Sequence, residues 1–257
     1  MSASAKSILA TLDAVEDERR LRAAHPHLAK QVSALKAFQQ RRFSHTYEDL
    51  LQDARYGPVA RFFLDELYGP SDFTQRDVQF SRVVPSMVRL FPREVVETVA
   101  DLATLHALSE RLDTEMARHV DALPITPLAY LRAWRATGRS SERAMQIALT
   151  LAVANRLDKF TRKPLLRNSL RLMRGPARAA GLGELQQFLE TGFDTFRAMK
   201  GADEFIRLVQ AREQALASAL FRDGNPKDVD AVKAVRHALS LLPQDAEAAH
   251  HDEPEST

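Results

Sequence analysis

Apolar residues recur at three- and four-residue spacing along almost the whole chain and almost nowhere in strict alternation. That periodicity belongs to helices with one buried face, so the pattern predicts an all-α fold. It runs through residues 5–23, 27–42, 45–55, 58–68, 75–91, 93–121, 127–137, 141–162, 165–174, 184–199, 203–221 and 227–241. The links are short, as in a multi-helix bundle. No linker divides the pattern, which predicts one helical globular domain over residues 1–242. After Pro243 the chain reads "QDAEAAHHDEPEST", with no apolar residue larger than alanine. It carries the acids Asp245, Glu247, Asp252, Glu253 and Glu255 and no Lys or Arg. Residues 243–257 therefore read as a disordered acidic tail.

Composition narrows the chemistry. There are no cysteines, which removes disulfides, thiolate metal sites and a Cys nucleophile and suits a reducing compartment. The N-terminal residues lack the apolar run of a signal peptide, and no apolar stretch approaches the ~20 residues of a membrane span. The expected location is the cytoplasm. Dinucleotide, P-loop, nucleophile-elbow and His-Glu-x-x-His signatures are all missing, so no cofactor is implied. An enzyme whose site is assembled from distant helices remains open. The formal net charge is only +2, so the distribution of charge is more informative than its sum.

The segment "RFFLDELYGPSDFTQRD", residues 61–77, is dense in helix punctuation. Gly69 and Pro70 stop one helix. Thr74 is placed to cap the next with Asp77 three residues on, and Phe73 and Val78 occupy the two staple positions. Within it, "FFLDELY" at 62–68 resembles the signature of the FFLEELY-motif proteins, an uncharacterised bacterial family, with Asp65 where the signature has Glu. The "GPSDF" that follows and "MRGPARAAGL" at 173–182 are similar too. The resemblance implies a single unit and brings no activity, cofactor or catalytic residue.

Several charges fall on apolar faces. Glu66 lies between Val59 and Phe62 on the helical wheel, while Arg61 and Asp65 lie opposite and can pair. Arg212 sits mid-face among Phe205, Leu208, Val209 and Leu216, with Glu213 at the edge. A buried charge must be paired or neutralised, which predicts that Glu66 is buried against an arginine, Arg212 first, and that Arg212 pairs with Glu66 or another acid; the rival is an anion-binding arginine in an internal pocket. His106, Glu110 and Asp113 fall on or beside the buried stripe of 93–121, at i, i+4 and i+7. They are the weak metal-ligand candidates, although the paired Glu-x-x-His of di-iron bundles is absent and no metal is expected.

"AMQIALTLAVA" at 144–154 is apolar nearly all round and predicts a helix buried on most sides. In the helix of 184–199, Leu185, Phe188, Leu189, Gly192, Phe196 and Met199 share a face, with Gly192 permitting a close approach. From Arg156 to Arg178 eight basic residues face the single acid Asp158, a net charge of +7. Arg167, Arg171 and Arg174 cluster on one side of a short helix. Such a stripe binds phosphates, anionic lipid heads or an acidic protein, or else is neutralised by acids from elsewhere. It lacks the interleaved aromatics that stack on bases, and no sequence-specific nucleic-acid motif is present.

The expected function is a non-catalytic helical interaction module whose basic surface, 156–178, meets an acidic protein or other polyanion. Its rival is an enzyme or small-ligand carrier with a pocket inside the bundle, using Glu66, His106, Asp113 and Arg212.

Overall fold

The computed structural model describes residues 4–66, 73–222 and 229–244. Among them are twelve helices and no strand: α1 (Ala5–Ala23), α2 (Pro26–Thr46), α3 (Glu48–Gln52), α4 (Gly57–Glu66), α5 (Thr74–Leu90), α6 (Arg93–Ala117), α7 (Pro127–Thr137), α8 (Ser140–Thr161), α9 (Pro164–Ala179), α10 (Gly183–Ala198), α11 (Asp203–Phe221) and α12 (Val229–Ser240). The fold is all-α, as the periodicity predicts. The expected Gly69–Pro70 stop and the acidic tail from Asp245 onward lie outside the described residues.

Local signals set most boundaries. Ser4 and Ser7 form a reciprocal capping box at the start of α1. Thr126 accepts from the Ala129 amide with Pro127 in the first turn of α7, and Gly138, at φ +66°, ends that helix. α9 runs five residues past its expected end at Arg174, through Pro176. Pro176 falls in the last turn, where its fixed φ is compatible with helix, and the Leu172 carbonyl it displaces belongs to an exposed residue. The expected helix 45–55 is interrupted at Tyr47, whose ring is fully buried. At the start of α5, Phe73 rather than Thr74 is the N-cap residue, and Val78 is exposed, so the expected staple does not form.

Three apolar clusters hold the helices together. Leu35 and Phe38 of α2 meet Met116 of α6, Tyr130 and Leu131 of α7, Leu220 of α11 and Leu242 beyond α12. Tyr47, Val59, Phe196, Met199 and Phe205 join α3, α4, α10 and α11. Ile8, Leu12, Val84, Val96 and Ala103 join α1, α5 and α6. Full burial of one such side chain is worth about 1.5–3 kcal/mol.

α6 enters two of the three clusters and is the axis of the fold. α8, expected as the enclosed central helix, is not enclosed: Met145 and Ala148 are exposed, while its polar Arg143 and Asp158 are buried. Its apolar residues are spread around the helix, but α6, α10 and α11 cover only part of the circumference. On α10, Leu185, Gly192, Phe196 and Met199 are buried as expected, Leu189 is exposed and Phe193 is an additional buried residue. Gly192 does mark a close approach, since a Cβ there would stand 2.9 Å from Cζ of Phe62.

Candidate functional site

The two phenylalanines of α4 are packing residues. The Phe62 ring stacks on Phe188 at 5.5 Å, and Phe63 lies 6.0 Å from Phe196 and 6.2 Å from Phe205. Arg61 donates to the Leu51 carbonyl at 2.7 Å rather than pairing with Asp65. Glu66 is half-buried, and its partner is Arg76, not Arg212: Nη1 of Arg76 lies 3.2 Å from Oε2 and 3.0 Å from the backbone carbonyl. The Arg76 guanidinium is held between the rings of Phe73 at 4.1 Å and Phe188 at 4.4 Å. Glu66 thus pairs with an arginine, but not with Arg212: Arg76, in the first turn of α5, takes it. Arg212 instead clamps α11 to α3, with two bonds of 2.6 Å to the Asp49 carboxylate and one of 2.8 Å to the Thr46 carbonyl. The hydrogen bonds from Arg212 hold the Asp49 carboxyl below its usual range.

The polar face of α6 is an ionic ladder. Glu110 is buried and accepts from Nη2 of Arg22 at 2.6 Å and from Nζ of Lys36 at 2.5 Å. Burial alone would raise this carboxyl, but the charges of Lys36 and Arg22 outweigh it and hold it at about 2. One turn earlier His106 Nε2 lies 2.9 Å from Oδ2 of Asp77, which also accepts from Arg19. Asp77, expected as a capping partner, is therefore an interior acid. Burial would raise its carboxyl too, and His106 and Arg19 pull it below the usual range. Asp113 is different. It accepts from Nε2 of Gln39 at 2.9 Å, and burial pushes it above the usual range despite the charges of Lys36 and Arg143.

His106, Glu110 and Asp113 thus bond different side chains: Asp77 of α5, Arg22 of α1 with Lys36 of α2, and Gln39 of α2. Among the described residues no group of three or more His, Asp or Glu is placed to hold a metal. Glu66, His106, Asp113 and Arg212, which the pocket reading needs together, are likewise in four separate contacts. A surface depression of about 240 Å³ lies at Glu115, Arg118, His119, Thr137 and Arg139, and none of those four lines it.

Sequence reasoning missed the partners of this interior. Arg22, Lys36 and Arg143 were not singled out in the sequence. Arg143 is buried against the Trp134 ring at 4.3 Å, with Nη1 3.1 Å from Gln146. Arg42 is buried and bonded at 2.5 Å to Glu213, which also accepts from the Tyr47 hydroxyl at 2.8 Å. The edge position of Glu213 on its wheel was the only signal for that pair.

The basic segment divides into two sets. Arg156 pairs with Asp101 at 2.6 Å, Arg162 with Asp158 at 2.5 Å and Lys163 with Glu94 at 3.0 Å. Arg167 bonds Asp194 at 3.0 Å, and Arg174 grips both oxygens of Glu190, so these two arginines fasten α9 to α10. Lys159, Arg171 and Arg178 are exposed, and among the described residues none is bonded to a carboxylate. Of the expected site, then, Arg167 and Arg174 are structural fasteners and Arg171 is free. Beside it on α9, Leu165 is 79%, Leu172 78% and Met173 53% exposed.

These features define an all-helical protein with a charged interior and one helix, α9, that leaves cations and leucines uncovered. The chain belongs to the family described as Domain of unknown function (DUF8198), which matches residues 18–227. Comparison with curated proteins and with solved structures returns no match. No described helix is long and apolar enough to cross a membrane.

Proposed function

We propose that the protein is a non-catalytic interaction module that meets an anionic partner through α9 and the end of α8. The observation that carries this reading is the set of exposed, unbonded cations Lys159, Arg171 and Arg178, left over when the other five of the eight basic residues are paired. α9 itself contains no acid, and among the described residues its arginines pair with Glu190 and Asp194 of α10. Exposed cations that hold no ion pair within the fold are available to a partner outside the chain. The interior charges support the same reading from the other side: Arg22, Lys36, Arg42 and Arg19 are taken up by Glu110, Glu213 and Asp77 within the fold.

Heparin chromatography of the purified chain tests it. The wild type is retained at low ionic strength and released by salt, because surface charge is screened within about 10 Å at 0.1 M salt. The double variant Arg171→Glu/Arg178→Glu elutes earlier with an unchanged circular dichroism spectrum. Equal retention of variant and wild type, or no retention of either, overturns the reading.

A further inference from the structure

Resting on that reading, we infer that the anionic partner is a lipid surface, and that the docking edge joins α9 to the corner between α5 and α6. On a wheel of ~100° per residue, Leu166, Leu170 and Ala177 point α9 toward the protein. Leu165, Leu172 and Met173 extend the apolar arc into solvent on one side. Arg171 and Arg178 project on the other. A Cβ at Gly175, between the two edges, would meet no atom within 4 Å, so that strip of the helix is uncovered. Such separation of leucines and arginines on one exposed helix fits the plane of a bilayer interface, where apolar side chains sink below the headgroups and guanidiniums meet phosphates.

The second element is "RLFPR", residues 89–93. Leu90 is 78% exposed, Phe91 stands beside it at the tip of the corner, and Arg89 and Arg93 flank them in solvent. This corner is tied to the start of α9 by the Lys163–Glu94 bond of 3.0 Å, which sets the corner at the turn between α8 and α9. Exposed large apolar side chains with arginines nearby thus occur twice, as Leu165, Leu172 and Met173 on α9 and as Leu90 and Phe91 at the corner, on elements that one ion pair joins.

Charge and form select the occupant. A second copy seated symmetrically on α9 would set Arg171 and Arg178 against the same arginines. A folded protein partner would have to complement a helix side and a corner tip at once, whereas a fluid anionic surface takes both without a shaped counterpart. Anionic headgroups also attract each basic residue held near the surface.

Co-sedimentation of the full chain with vesicles provides the test, with three proteins and two lipid compositions. The wild type pellets with phosphatidylcholine–phosphatidylserine vesicles and remains in solution with phosphatidylcholine alone. Leu165→Ser/Leu172→Ser, which alters only exposed side chains, loses affinity for the anionic vesicles on the order of tenfold while keeping wild-type retention on heparin. Arg171→Glu/Arg178→Glu loses both. Unchanged circular dichroism in each variant certifies the fold. If the serine variant binds anionic vesicles as the wild type does, or if the wild type binds heparin but no vesicle, the lipid surface is wrong and the anionic contact through α9 stands. Loss of neither activity in the charge-reversed variant overturns both.

Discussion

Glu110 and Asp113 lie one turn apart on α6, both buried, and their protons respond to folding in opposite directions. Glu110 is held at about 2 against an ordinary value of 4.5. Its contribution to stability is fully present above pH 4.5 and is lost as the pH falls toward 2, and that shift corresponds to about 3 kcal/mol. Glu110→Gln should lower unfolding stability by about that amount at neutral pH, leave buried Arg22 and half-buried Lys36 without this counter-charge, and flatten the acid limb of a stability–pH curve between those two values. Denaturant melts across the range check it. Asp113 carries a raised folded-state value, so its ionised form is penalised above that value and the penalty disappears below the unfolded value of 3.8. Asp113→Asn keeps an acceptor for Gln39 and should raise the melting temperature at neutral pH, with the gain vanishing in acid. A drop at neutral pH would mean that the ionised carboxylate is what Lys36 and Arg143 require.

At the scale of elements, α12 lies beyond the family match, which ends at residue 227, yet it completes a core cluster. Ala238 and Leu242 are fully buried there, beside partly buried Val235 and Leu239. A chain ending at residue 227 loses that layer, and burial losses of about 2–5 kcal/mol per large side chain predict a strongly lowered melting temperature. A truncated chain that melts with the full-length protein would show α12 to be an ornament.

Helix positions were legible in the sequence because caps, prolines and spacing act locally. Gly192 was legible for the same reason, since only glycine leaves room for Phe62 at that crossing. What failed were statements about partners. Glu66 read as a buried acid in need of a base; it is only half-buried, and its base, Arg76, comes from the next described helix, α5, which the wheel of α4 does not contain. Asp77 read as a cap because the cap pattern is local, while its real partners, Arg19 and His106, come from α1 and α6. α8 read as enclosed because its apolar residues are numerous, and the number of neighbours a helix has is not written in its own sequence.

In the whole molecule, charge is divided by location. The interior pairs, Glu110 with Arg22 and Lys36 and Glu213 with Arg42, set the register of α2 against α6 and α11. Removing one member of such a pair typically costs about 3–5 kcal/mol. The exposed cations of α9 are free of that duty, since a surface charge contributes about 0–1 kcal/mol even when paired. The most direct test of this division measures heparin affinity and melting temperature together, at low and high salt, for the wild type, Glu110→Gln and Arg171→Glu/Arg178→Glu. The predicted result is that the charge-reversed variant melts as the wild type does but binds about tenfold more weakly at low salt, with the difference shrinking at high salt, while Glu110→Gln melts earlier and, below its melting temperature, binds unchanged. A charge-reversed variant that melts early and binds as the wild type does would contradict the account.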